Sequence, residues 1–263
     1  MDTVVLIPAR YASSRFPGKP LQTLRGPDGE KTLIERSWQA ATAAKGVDAV
    51  YVATDDERIA DAAKAFGADV VVTSESCANG TERCADALDR LDLNPRLVVN
   101  LQGDAPLTPP HFVEALIEAM ADVSHEAAVA TPVLACDAET YQNFREDRLH
   151  GKVGGTTAVF GASRRALYFS KEVVPYKADG SFDPSEPDVF HHVGLYAYTP
   201  AALKAYMSAT PGPLETTEGL EQLRFLENGV PIQCVEVPAG DHMFWELNNP
   251  EDVARIEAIL NKT

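Results

Sequence analysis

The chain has 263 residues, 45% of them hydrophobic and 24% charged, with a formal net charge of −16. That length buries a sizeable core as one large domain or as a domain with an appendage, and the acidic balance argues against nucleic acid or an anionic membrane as partner, since both are bound through clustered Lys and Arg. No apolar run approaches the ~20 residues of a membrane span and no basic-then-apolar leader opens the chain, so a cytoplasmic protein is expected. Cys77, Cys84, Cys136 and Cys234 lack metal-site spacing and read as reduced thiols.

Residues 3–20 read TVVLIPARYASSRFPGKP. Residues 4–7 suit a buried parallel strand, and the loop behind them carries Arg10, Arg15, Gly18 and Lys19. Three cations on one glycine-containing loop of an acidic chain would receive several negative charges at once, which points to phosphates. The loop is not a Walker A element, because Gly18-Lys19 is followed by Pro20, and no GxGxxG fingerprint occurs.

Next, Thr32 with Glu35 reads as a capping box for a helix reaching about Lys45, with Ile34, Trp38 and Ala41 on one face. Residues 49–54 form a second strand. Asp55 or Asp56 then caps a helix bearing Ile59, Ala63 and Phe66. Residues 70–73 are a third strand, and a helix after Asn79-Gly80 shows Cys84, Leu88 and Leu91 on one face. Repeated βα units imply a parallel sheet covered by helices, so the fold class is α/β.

Residues 97–104 read LVVNLQGD. In a strand, Asn100, Gln102 and Asp104 share one side, Val99 and Leu101 the other, and Gly103 lets the backbone turn. Asp104 falls at the carboxyl edge, where open α/β sheets place ligands, and is a candidate Mg²⁺ ligand. Capping the following helix is its less favoured role, because Pro109-Pro110 lies nearer to the apolar face of Val113, Leu116, Ile117 and Met120.

From about residue 127 the pattern changes. A strand over 128–134 is followed by a polar, mixed stretch over 137–155, then by two short strands over 156–170 around a turn at 161–165. Residues 178–188 read as a mobile loop or lid. HHVGLYAY, residues 191–198, reads as one strand with His192, Gly194, Tyr196 and Tyr198 on a shared face. A helix over 216–227 contains GLEQLR. The middle third reads as an insertion or a small second domain. Residues 242–247 read as a final strand, followed by a helix capped by Asn249, begun by Pro250 and packed through Val253, Ile256 and Leu260. HExxH, GxSxG and zinc spacings are absent.

PARYASSRFPGKPL, ANGTER, NLQGD, ALYFSK, HVGLYAY and LEQLR, in that order, resemble the 3-deoxy-manno-octulosonate cytidylyltransferases (CMP-Kdo synthetases) along nearly the whole chain. The resemblance implies a Rossmann-like, GT-A-like nucleotidyltransferase fold in one domain over 1–263. It also implies a smaller β-rich insertion over roughly 150–200 that helps a homodimer pair. The implied reaction transfers CMP from CTP to an acidic keto-deoxy sugar with Mg²⁺, releasing pyrophosphate, for lipopolysaccharide or capsule assembly. The implied catalytic residues are Arg10, Arg15, Lys19 and Asp104. Nucleotide contacts are implied for Pro8, Ala9, Arg10, Ser13, Lys19, Asn79, Gly80, Arg83, Gln102 and Gly103, with the cytosine read around residues 80–83. Lys171, His192, Tyr196, Glu221 and Gln222 fall at positions expected near the sugar acid.

Departures from the family pattern gather around the metal and the sugar. Ala105 stands where Glu is usual, Lys171 and His191 where Arg is common, and Asn248 where a second metal-binding Asp is expected. Glu246, two residues before Asn248 on the same side of the expected strand, is a candidate to reach the metal instead, giving the ligand set Asp104, Glu246 and Asn248. Two other readings stay open: a CTP-binding paralogue with an altered acceptor or lost activity, and a GT-A-type glycosyltransferase, whose usual DxD metal motif QGDAP does not supply.

Overall fold

A computed structural model describes residues 1–12, 16–103, 106–121, 128–152, 155–177, 181–183, 185–239, 244–245, 247, 250 and 252–261. The first half alternates strands and helices: β1 (Thr3–Ala9), a hairpin of β2 (Thr23–Gly26) and β3 (Gly29–Thr32), α1 (Leu33–Ala43), β4 (Ala49–Thr54), α2 (Glu57–Ala65), β5 (Asp69–Val72), α3 (Gly80–Arg90), β6 (Leu97–Leu101) and α4 (Pro110–Ala119). Then come β7 (Val129–Ala135), α5 (Ala138–Leu149), β8 (Thr156–Phe160), β9 (Ala166–Ser170), β10 (Phe190–His192), β11 (Leu195–Tyr198), α6 (Pro200–Ser208), α7 (Pro213–Glu218), α8 (Leu223–Glu227), β12 (Ile232–Glu236) and α9 (Asp252–Leu260).

The described strands form a ten-stranded mixed sheet in the order β5-β4-β1-β6-β11-β7-β10-β8-β9, with β12 also on β7; β2 and β3 form a separate pair. β5, β4, β1 and β6 are parallel, and β1 is buried along its whole length, as a central strand covered on both faces must be. The chain builds from β1 out to β5 on one side and then returns to β6 on the other. The strand order therefore reverses between β1 and β6, and a crevice opens outside their carboxyl ends. One apolar cluster packs under this half from Val5, Ile7, Val99 and Phe112, and another forms on the opposite side from Val4, Leu6, Val98, Phe169 and Tyr198.

Helix starts follow their caps. Thr32 accepts from the Glu35 backbone N–H, Asp56 from that of Arg58, Asn79 from that of Glu82, and Asp137 from that of Thr140. All four cysteines are free and buried, and burial pushes the thiols of Cys136 and Cys234 up to about 12.

Several expectations are corrected. Residues 138–149 of the polar stretch form α5, which needs little apolar surface because only Tyr141 and Phe144 are buried. Residues 191–198 make two strands, since pairing with β7 shifts by two residues at Val193-Gly194, although the rings of His192, Tyr196 and Tyr198 still pack in a row. The helix over 216–227 is two helices, because Gly219 adopts φ 62 and its N–H and that of Leu220 both return to the Glu215 carbonyl, closing α7. In the expected last strand, Phe244, Trp245 and Leu247 have no strand conformation; Trp245 and Leu247 are buried with Leu24, Leu33, Ile256 and Ile259. β12 lies earlier and was missed.

Candidate functional site

The loop after β1 leaves the sheet at Arg10, and its far end is tied back by the Gly18 N–H donating to the Tyr11 carbonyl at 2.9 Å. Gly18 has φ 72, and a Cβ there would touch the Tyr11 ring at 3.0 Å, so both backbone and space favour glycine. Arg10 donates to the Ala78 carbonyl at 3.3 Å, and Lys19 starts a 3-10 turn and donates to the Leu247 carbonyl at 3.0 Å. Lys19 is half-buried. Ser13 and Arg15 lie outside the described residues.

A cleft of about 580 Å³ opens at the reversal point between β1 and β6. Its walls include Pro8, Ala9, Arg10 and Lys19 from the first loop, Asn79, Gly80 and Arg83 from the start of α3, and Gln102 and Gly103 after β6. These are the described residues expected to meet the nucleotide, brought together from three segments. Gly103 is needed for the approach of the chain: a Cβ there would lie 3.2 Å from the Pro8 carbonyl oxygen.

Arg83 is buried and held by Thr73 at 2.5 Å and Asp55 at 3.1 Å. The fourth wall was not legible in advance. Arg224 donates through two nitrogens to both Glu215 oxygens at 2.7 Å each and to Glu82 at 3.1 Å, with its guanidinium 4.0 Å from the Tyr206 ring centre. The hydrogen bond to Glu215 raises the Arg224 pKa, so the guanidinium stays charged. Only GLEQLR hinted at this wall; Glu215 sits outside that motif.

A second cavity of about 260 Å³ adjoins the first and is lined by Gln102, Thr156, His192, Gly194, Tyr196 and Glu221, with Gln222 beside them. Gln102, Gly219, Leu220 and Glu221 line both cavities. Glu221 accepts from the Gln102 amide at 3.1 Å and the Thr81 backbone N–H at 3.3 Å. Gln222 is buried with its Nε2 unpartnered among the described residues. Lys171 stands beside the junction: its backbone N–H donates to Glu218 at 3.0 Å, and its Nζ lies 2.9 Å from where a Gly219 Cβ would be.

The smaller cavity rests on a row of packed rings: Phe169 meets His192 edge-on at 4.9 Å, His192 is tilted against Tyr196 at 5.5 Å, and Tyr196 stacks on Tyr198 and Tyr198 on Phe225, each at 5.7 Å. Burial lowers His192 to about 3 and His191 to about 4, so both are neutral near pH 7. Tyr198 is raised by burial and stays protonated, bridging Thr81 at 2.9 Å and Asn100 at 3.3 Å.

The metal candidates Asp104, Glu246 and Asn248 lie outside the described residues, and among the described residues no group of three His, Cys, Asp or Glu could hold a metal ion. Of the described neighbours, Gly103 lines the cleft, and Leu247 is bonded to Lys19, which also lines it.

A family model described as "Cytidylyltransferase" matches residues 4–233. A 3-deoxy-manno-octulosonate cytidylyltransferase of Maricaulis maris is 44% identical, with 99% of this chain and 97% of the relative covered. An 8-amino-3,8-dideoxy-manno-octulosonate cytidylyltransferase of Shewanella frigidimarina is 41% identical, with 99% of both covered. A solved structure of CMP:2-keto-3-deoxy-manno-octonic acid synthetase complexed with CTP superposes with a TM-score of 0.82 at 32% identity, covering 99% of this chain and 98% of that one.

Proposed function

Because the chain belongs to the cytidylyltransferase family, we propose that it transfers CMP from CTP to the anomeric hydroxyl of a 3-deoxy-manno-octulosonate-type sugar acid and releases pyrophosphate. The observation that carries this reading is the wall shared by the two cavities at Gln102, Gly219, Leu220 and Glu221. A nucleotide in the larger cavity and an acidic sugar in the smaller one would meet there, which turns a bimolecular encounter into an attack between neighbours.

In this reading Arg10 and Lys19, with Arg15 between them in sequence, hold the triphosphate and stabilise the leaving pyrophosphate. The sugar hydroxyl attacks the α-phosphorus in line, so no protein nucleophile is needed. Pro8, Ala9 and Gly103 supply backbone at the reversal point, and the first turn of α3 at Asn79 and Gly80, with Arg83 beneath, reads the cytosine. Glu221 and Gln102 receive and offer hydrogen bonds at the shared wall. His192, Tyr196 and Gln222 line the sugar's side, with Lys171 close to it.

When bound, Mg²⁺ offsets charge on the transferred phosphoryl group. Asp104, Glu246 and Asn248 are proposed to hold it. Asn248 adds an oxygen but no charge, so Glu246 restores the missing carboxylate. The protein is further proposed to act in the cytoplasm as a homodimer and to feed lipopolysaccharide or capsule synthesis. Among the described residues no helix is long and apolar enough to cross a membrane.

The test is pyrophosphate release with CTP, Mg²⁺ and a panel containing 3-deoxy-manno-octulosonate and its 8-amino-8-deoxy derivative. Turnover with at least one is expected, together with a loss of rate in Glu246→Ala. Release with none of them would reject the transferase reading. Activity appearing only in Asn248→Asp would favour a CTP-binding paralogue.

A further inference from the structure

The Thr131 hydroxyl is fully buried between β10 and β11, with the Leu195 carbonyl at 2.9 Å, the Val193 carbonyl at 3.2 Å and His192 Nε2 at 3.0 Å. A hydroxyl has one proton to donate. If it were given to His192, the hydroxyl oxygen would face two carbonyl oxygens at contact distance with no hydrogen between them. The proton therefore goes to a carbonyl, and towards His192 the Thr131 oxygen can only accept.

We infer that Thr131 is a positioning residue that locks His192 as its Nε2–H tautomer, leaving Nδ1 as a hydrogen-bond acceptor for a hydroxyl of the acceptor sugar. His192 is 5% exposed and lines the smaller cavity, and among the described residues it is Nε2, through Thr131, that has a protein partner. The ring edge carrying Nδ1 is thereby left for a ligand in that cavity. The neutral ring, next to neutral His191, cannot donate from Nδ1. A sugar hydroxyl suits that lone pair and a carboxylate does not, so the acid group of the sugar is directed elsewhere in the cavity. The shift of two residues between β10 and β11 has a use here: it turns both carbonyls onto Thr131 and so fixes which nitrogen carries the proton.

The role in sugar binding rests on the function proposed above, whereas the tautomer does not. Nitrogen NMR of the resting protein, with no substrate present, is expected to show a protonated Nε2 and a bare Nδ1 on His192. A protonated Nδ1 or an even mixture overturns the lock. In kinetics, Thr131→Val is expected to raise KM for the sugar acid roughly ten- to a hundredfold with KM for CTP unchanged, and Thr131→Ser to restore it. An unchanged sugar KM in Thr131→Val overturns the role. If that variant fails to fold, His192→Asn and His192→Gln decide, since the Asn amide oxygen stands near Nδ1 and the Gln amide near Nε2. His192→Asn should keep the lower sugar KM, and equal values overturn the proposal. Absence of turnover with every sugar acid counts against the proposed function, while the resting-state spectrum still decides the tautomer.

Discussion

Lys19 and Leu247 are joined by a 3.0 Å hydrogen bond from the lysine ammonium to the backbone carbonyl, across 228 residues of sequence. Lys19 also lines the cleft, so it anchors the chain near the proposed metal ligands from the position where, in the proposed reading, it would meet the phosphates. Lys19→Ala should cost about 2–4 kcal/mol of transition-state stabilisation, as other preorganised donors do. Loss of the bond to Leu247 should cost about 0.5–1.5 kcal/mol of fold stability. Parallel kcat/KM and denaturant measurements check this, and unchanged kinetics with CTP would remove the loop from the active site.

Gly80 supplies a second test. A Cβ there would lie 2.6 Å from the Gln102 amide nitrogen, the far end of a side chain that can swing away only by giving up Glu221. Gly80 is also the first residue of α3, where alanine is tolerated and reduces unfolded-chain freedom. Gly80→Ala should therefore keep or raise Tm while lowering turnover and weakening the preference for CTP over UTP and ATP. Wild type should prefer CTP clearly; equal rates with UTP or ATP would refute cytosine reading by this helix start.

Arg224 should matter to folding more than Lys19 does. It is 4% exposed and bonds both Glu215 and Glu82, so Arg224→Ala leaves two largely buried carboxylates without their shared guanidinium. Breaking such a pair from one side costs about 3–5 kcal/mol, whereas removing both partners of a pair costs far less. Arg224→Leu with Glu215→Leu should thus recover much of the stability lost in Arg224→Ala, as read from chemical denaturation. A double variant no more stable than the single would contradict this account.

The neutral histidine pair gives a pH dependence with a definite sign. Free histidine titrates near about 6.5, but His191 is lowered to about 4 and His192 to about 3. Between those limits the unfolded chain binds more protons, so stability falls as pH drops below about 6.5, by up to about 1.4 kcal/mol per pH unit for each histidine. Above that window neither contributes. His191 packs against Phe144 and Phe244, so His191→Leu should keep its packing and flatten the slope of stability against pH. Equal slopes in variant and wild type between about pH 6 and pH 4.5 would rule out a neutral buried His191.

What could be read in advance was whatever local chemistry decides. Thr32 and the Asp55-Asp56 pair announce their helices because a capping side chain acts within three residues, with Asp56 as the actual cap of the second, and residues 49–54 read as a strand with the right bounds. The three cleft segments were legible as motifs because each is short and chemically marked. The fourth wall was not, since Glu215 and Arg224 sit on two helices separated by the closing of α7 at Gly219 while Glu82 comes from α3, and one glycine in a helical pattern does not reveal its φ. α5 was missed because its polar surface hides a two-residue apolar contact. The break between β10 and β11 was missed because a shift of two preserves the alternation that identifies a strand.

The strand order also bears on how the protein is made. β6 and β7 follow one another in the chain, yet β11 lies between them and joins the two halves of the sheet. As the chain leaves the ribosome, β6 offers bare amide and carbonyl groups along one side until residue 195 has emerged, and such an open side invites pairing with another chain. Nascent chains stalled before β11 should therefore be sticky, chaperone-bound species, while those stalled well beyond it should resist protease.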